Sequence, residues 1–291
     1  VTDFMLPYLR RYSALPEEAR TLKDGVKDEI RAMHEFIDAR DRGEEPLIGI
    51  PTGIATLDNI IGGLPVGVPS ILAARPGEGK STLALNVAHN VSKKGIGVHI
   101  FSYEDGERSF AQRMIALQTG NDLQRIVQRR LDSEQLGRID DMPSGTLDRI
   151  CVEKAHGYSA GKIARAFRAN KQTLDTKLII IDYLQLMPGV DRSLAMHQQL
   201  ERNMMDLACL AAEEDVALLV LSQLKREAQG IEAKLNDLRG SGSIEQRGKL
   251  VIALHSDNPN SCDLKFVVLK NFQGERGYIY AHYDRARCKI K

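Results

Sequence analysis

Ala74-Arg75-Pro76-Gly77-Glu78-Gly79-Lys80-Ser81-Thr82 is the stretch whose reading decides the fold. It fits the phosphate-binding P-loop pattern, with Ala74 in the first small position, and lies between an apolar run and a helix-like segment. Gly77 and Gly79 let the backbone curl so that its N–H groups point at phosphate oxygens, and the helix that follows adds its positive dipole end. Lys80 then reaches the β and γ phosphates. Ser81, rather than Thr82, falls where a hydroxyl completes the Mg²⁺ shell that bridges them. The expected ligand of residues 74–82 is therefore a nucleoside triphosphate, ATP by default, with Mg²⁺.

Working outward, short apolar runs alternate with helical stretches beyond Gly49, as in parallel α/β folds. Strands are predicted over 70–75, 97–102, 149–153, 178–182, 217–222 and 250–255. Helices are predicted over 81–92, 107–119, 160–171 and 196–214. Near the end, 263–270 and 278–283 are joined by Gln273-Gly274-Glu275-Arg276-Gly277, an antiparallel hairpin at one side of the sheet. Upstream of Gly49 the pattern differs. From Pro16 to about Asp41, Leu22, Val26, Ile30, Met33 and Ile37 recur at helical spacing among charged residues, and the loop 41–46 ends them. This predicts an amphipathic helix on a tether, read either as packing on its own domain or as docking on a neighbouring subunit. The expected division is 1–48, extension and linker helix, and 49–291, a nucleotide-binding domain.

Composition narrows the setting. With 291 residues, 43% of them hydrophobic, the chain suffices for one full α/β domain and a small extension. No apolar run approaches the ~18 residues of a membrane span, and the N-terminus lacks a signal-peptide pattern, so a cytoplasmic protein with no membrane partner is expected. Cys151, Cys209, Cys262 and Cys288 form no Cys-x-x-Cys pair and no metal-ligand pattern with the seven histidines. Reduced, mostly buried thiols are the expectation. A formal net charge of +1 neither demands nor excludes nucleic acid, because a basic channel can be offset by acidic surface elsewhere.

Three further positions give the P-loop a chemical task. The run Leu178-Ile179-Ile180-Ile181-Asp182 suits a strand buried on both faces and delivers Asp182 at its carboxyl end, where it can hold Mg²⁺ directly or through water. The strand over 97–102 runs into Tyr103-Glu104-Asp105, which places Glu104 at the end of a strand expected beside the P-loop strand. There it can polarise the water that attacks the γ-phosphate, as a general base. The strand over 217–222 ends at Gln223, a neutral amide able to report whether a γ-phosphate is present.

Residues 74–82, Phe101-Ser102-Tyr103-Glu104, Ile181-Asp182-Tyr183-Leu184-Gln185-Leu186-Met187, Leu221-Ser222-Gln223-Leu224 and Asp237-Leu238-Arg239-Gly240-Ser241-Gly242-Ser243-Ile244-Glu245-Gln246 occur in the order and spacing of one family. Gly49-Ile50-Pro51-Thr52-Gly53, Leu57-Asp58 and Gly62-Gly63-Leu64 add the start of its motor domain. The set resembles the DnaB-type replicative helicases over nearly everything from Ile50 onward. The resemblance implies a RecA-like P-loop fold with a mostly parallel sheet, helices on both faces and a C-terminal hairpin. It implies a homo-hexameric ring that encircles single-stranded DNA, hydrolyses ATP between subunits and works with primase and a helicase loader. It also turns the first helix into an assembly element. DNA contact falls on a loop after Met187, 188–193, and on 225–242, where Lys225, Arg226, Arg239, Gly240 and Gly242, with Lys234, would hold phosphates without reading bases. No counterpart of the family's N-terminal domain precedes the motor, which leaves a missing domain or a shortened relative of phage or plasmid origin as the two readings.

Two departures stand out. Where the family carries Lys-x-Arg after its late strand, this chain has Lys270-Asn271-Phe272, so Phe272 occupies the position of the trans-acting arginine finger. Such fingers supply about 10³–10⁵ in rate in comparable phosphoryl transfer. Arg276, in the hairpin turn, is the candidate replacement, acting with Lys270 on a neighbour's γ-phosphate. Gly240 stands where many relatives carry an acid, which relaxes that loop. The alternative functions are a RecA/RadA-like recombination or repair ATPase, and a non-motor module that uses ATP as a clamp. A small-molecule kinase is disfavoured, since the sequence shows no separate acceptor-binding lid.

Overall fold

The computed structural model describes residues 21–44, 46–189, 193–224, 233–238, 247–256 and 261–291. The chain divides into two compact units, Val1–Pro46 and Leu47–Lys291. In the first, helix α1 (Leu22–Asp41) starts where the Thr21 side chain accepts from the Asp24 amide at 3.3 Å. Val26, Ile30, Met33 and Ile37 line one face, and their exposures run from 42% to 54%.

The second unit is built on one sheet. Its strands are β1 (Pro69–Ala74), β2 (Gly97–Ser102), β3 (Ile150–Lys154), β4 (Thr176–Asp182), β5 (Ala217–Gln223), β6 (Leu250–His255), β7 (Asp263–Asn271), β8 (Gly277–Asp284) and β9 (Lys289–Ile290). Their order is β3-β2-β4-β5-β1-β6-β7-β8-β9. From β3 to β6 the pairing is parallel, and from β6 to β9 it is antiparallel. The order corrects one expectation. β2 pairs with β3 and β4, whereas β1 lies between β5 and β6, so Glu104 does not follow a strand adjacent to the P-loop strand. Strands next to each other in sequence are separated here because parallel crossovers carry the chain past intervening positions.

The apolar runs explain the layers. Along β4, Ile180 joins the core on one face and Ile179 and Ile181 the core on the other, and Leu72 alternates with Ile71 and Ala73 in β1 in the same way. One face is covered by α2 (Ala55–Ile61), α3 (Lys80–Lys93) and α4 (Glu107–Thr119), through Leu57, Leu83, Val87, Phe110 and Met114. The other is covered by α7 (Ala160–Leu174) and α8 (Met196–Glu214), through Ile163, Phe167, Met204 and Leu207. Between α4 and β3 run the short helices α5 (Leu123–Gln128) and α6 (Ser133–Asp140). Among the described residues no helix is long and apolar enough to cross a membrane. The thiols are free as expected, but only Cys288 is buried, and Cys209 and Cys262 are exposed. Cys209 lies on α8, outside the face that packs on the sheet.

Two buried polar groups tie distant segments together. Asp58 receives Thr52 N at 2.8 Å, Thr52 Oγ1 at 2.7 Å and Gly53 N at 2.9 Å, which fixes the turn before α2. Asn86, on α3, donates to the carbonyls of Thr82 and Cys288 at 2.8 Å each and accepts from Ile290 N at 3.1 Å. An Asn86→Ala change leaves backbone groups of the last turn and strand buried without partners. We expect it to cost about 2–4 kcal/mol, read as a lower midpoint in urea unfolding.

Candidate active site

After Ala74 the backbone turns through Gly77 (φ +82°) and Gly79 (φ +92°) into α3, which opens at Lys80. Glycine is required at 79 twice over. The φ is left-handed, and a Cβ there would lie 2.6 Å from Tyr283 Cε1. No side chain caps α3, so its first amides stay available to an anion. Arg75, Pro76, Gly77, Gly79, Lys80, Ser81 and Thr82 line a cavity of about 330 Å³. Ala74 and Glu78, expected with them, do not. Ala74 is buried in β1, and the Glu78 carboxylate turns back to accept Arg75 N at 2.8 Å and Arg75 Nη1 at 3.3 Å. His255 Nδ1 accepts from the same Arg75 nitrogen at 3.2 Å, so the loop is braced from the end of β6.

Register brings the other expected residues to this cavity. Ser102 of β2 is level with Asp182 of β4, and Tyr103 N donates to Asp182 O at 2.6 Å, so the chain beyond β2 delivers Glu104 to the mouth of the cavity. Ala74 of β1 is level with Gln223 of β5, which lines the cavity wall. Gln185 clamps that wall. Its amide nitrogen donates to Ser222 Oγ at 2.9 Å, and its oxygen accepts from Gln223 N at 3.2 Å. One side chain of the Asp-Tyr-Leu-Gln motif thereby ties the segment after β4 to the end of β5.

The electrostatics oppose burial to pairing. Desolvation lowers the Lys80 pKa, and the charges of Asp182 and Glu104 work against that shift. Asp182, 1% exposed, is pushed up by burial, while the Lys80 charge and the nearby Ser81 hydroxyl favour its ionised form. Neither carboxylate oxygen of Asp182 sits in hydrogen-bond geometry with a protein donor. Two buried acceptor oxygens beside a serine hydroxyl suit a divalent cation. Among the described residues no group of three or more His, Cys, Asp and Glu could hold a metal alone, so a cation here would share its shell with phosphates and water.

Several residues of the cavity escaped the sequence reading. Tyr183 stands with its ring centroid 4.1 Å from Lys80 Nζ. Arg113 pairs with Asp105 at 2.7 Å. Tyr283 donates to Thr82 Oγ1 at 3.2 Å, and the Arg285 guanidinium lies over its ring at 4.6 Å while donating to Gly77 O at 3.2 Å. Lys270 and Arg276 do not line the cavity of their own chain. They lie at the end of β7 and in the β7–β8 turn, where Asn271 Nδ2 donates to Glu275 O at 3.1 Å and Phe272 is 50% exposed. The expected DNA-binding residues Lys225, Arg226, Arg239, Gly240 and Gly242 lie outside the described residues, as do Val190, Asp191 and Arg192 of the other loop.

A P-loop heading the central strand of a sheet whose two faces carry helices defines the class, a RecA-like α/β domain. Within it, the chain belongs to the DnaB-like helicase C terminal domain family, whose sequence profile matches residues 49–291. It is 33% identical over 255 residues to the replicative DNA helicase DnaB of Leifsonia xyli subsp. xyli, an alignment covering 82% of this chain and 54% of that protein. The replicative DNA helicase DnaC of Bacillus subtilis is 31% identical over 87% of this chain and 59% of its own length. The chain thus spans between half and two thirds of these relatives. Among solved structures, an ATPase domain superposes with a TM-score of 0.82 at 26% identity, covering 91% of this chain and 97% of that one. A DnaB-like replicative helicase, solved for its interactions with primase, shares the fold with a TM-score of 0.81 at 24% identity, over 98% of this chain and 70% of that one.

Proposed function

We propose that this chain is the ATP-hydrolysing motor of a replicative-type DNA helicase. The observation that carries the proposal is the convergence of Lys80, Ser81, Glu104 and Gln223 on one cavity at a P-loop, with Asp182 buried beside Lys80 and Ser81, in a member of the DnaB-like family. Lys80 and the first amides of α3 hold the phosphates, and Ser81 and Asp182 would hold Mg²⁺. The cation would neutralise charge on the β- and γ-phosphates. Glu104 orients the attacking water and takes its proton, and Gln223 senses the γ-phosphate. The exposed apolar face of α1 supports docking on a second copy, and Lys270 and Arg276 sit away from their own cavity, as groups serving a neighbour's site must. From these features we infer a hexameric ring on single-stranded DNA, acting in the cytoplasm with primase and a loader.

The decisive experiment is steady-state ATP hydrolysis by the purified chain with and without single-stranded DNA, with Lys80→Ala as blank. DNA-stimulated turnover is the expected result. The exposed Phe272 at the finger position favours one second reading, a module that binds ATP as a conformational clamp. ATP binding without turnover in either condition selects that reading.

A further inference from the structure

The larger of the two principal cavities is not the one beneath the P-loop. It encloses about 510 Å³ between the last two turns of α3, the end of α4 and the C-terminal strand β9. Its size falls in the range of small-molecule sites, roughly 300–1,000 Å³. Lys93, Lys289 and Lys291 line it, and no aspartate or glutamate does. None of these lysines has an ion pair among the described residues. Three lysines border one concavity with no carboxylate side chain in its lining, a positive surface that an anion would complement. Leu117 and Ile290, 7% and 5% exposed, add an apolar wall.

The remaining polar lining is neutral. His89 is held well below its usual pKa, at about 4, by burial first and then by the charges of Lys93 and Lys289. Its Nδ1 lies 3.5 Å from the Gln118 side-chain amide. Asn86, also in the lining, is engaged with the backbone on both sides. The side chains of the walls therefore offer ammonium donors and apolar surface, and no carboxylate to compete with a ligand's own charge.

We propose that this cavity binds a small organic phosphate, with its phosphate on Lys93, Lys289 and Lys291 and its body against Leu117 and Ile290. A nucleoside monophosphate has the required chemistry, a compact dianion joined to a flat, weakly polar body. The site is separate from the P-loop cavity and shares no lining residue with it.

The test is site-resolved lysine labelling. Pyridoxal 5′-phosphate condenses with an amine at a phosphate-binding site, losing water, and borohydride reduces the imine, so peptide mapping reports each lysine by itself. Lys154 and Lys177, exposed on β3 and β4, serve as the internal reference. Lys93 and Lys289 should label faster than the reference, and AMP should protect them at a concentration at least about tenfold below that needed with inorganic phosphate, the mark of a contribution from the body of the ligand. Equal protection by AMP and inorganic phosphate would reduce the cavity to a bare anion patch and overturn the proposal. So would labelling no faster than at Lys154 and Lys177, or no protection by millimolar AMP.

Discussion

Lys80→Ala protein is expected to fold normally and to lose ATP turnover by at least about 10³-fold. The fold survives because Lys80 is a burdened residue. Burial disfavours its charge, and its partners Asp182 and Glu104 only partly offset that cost. Turnover is lost for two linked reasons. The ammonium that would follow charge onto the leaving phosphate is gone, and Asp182 loses the cation that favours its ionised form. Its carboxyl, already pushed up by burial, then becomes a poorer partner for a divalent cation at neutral pH. Circular dichroism and steady-state hydrolysis on one preparation check both halves. Turnover near the wild-type rate would remove Lys80 from phosphate binding and with it the reading of the cavity.

Glu104→Gln protein should bind ATP at least as well as the parent and hydrolyse it about 10²–10⁴-fold more slowly. Glu104 is exposed at the cavity mouth, so neutralising it should leave the fold intact. It also removes a negative charge close to Lys80 that a triphosphate must approach. Affinity and rate therefore move in opposite directions, a separation that a merely structural residue would not produce. Asp105 shares the cavity, but its carboxylate is committed to Arg113 at 2.7 Å and is less free to meet an attacking water. Unchanged turnover in Glu104→Gln would pass the role to Asp105, and the double variant would then be the silent one.

Most of the sheet was readable because its strands are continuous apolar runs bounded by polar turns. Leu178-Ile179-Ile180-Ile181-Asp182 gives both the strand and its functional end. Strand adjacency was not readable, since β2 reaches β4 and not β1 through a crossover that no local pattern records. The helix Ser133–Asp140 buries none of its residues, so apolar periodicity had nothing to show. A capping box, Asp132 with Gln135, is the signal that marks it. In the site, the P-loop, Asp182, Glu104 and Gln223 announced themselves at strand ends. Tyr283 and Arg285 did not, because they meet the P-loop from about two hundred residues away. Glu78 shows the converse: the motif identifies the loop, yet its carboxylate braces the backbone and does not face the cavity.

The contacts of Tyr283 with Thr82, and of Asn86 with Cys288, set a timetable for synthesis. Ribosomes deliver the phosphate loop and α3 first and the residues that pack on them 201 and 202 positions later along the chain. A nascent chain carrying only the first strands has a glycine turn without the aromatic ring that packs on it and a helix α3 whose asparagine still faces water. Such long-range closure is slow compared with local helix formation. The P-loop therefore gains the aromatic ring that packs on it only when synthesis has passed β8.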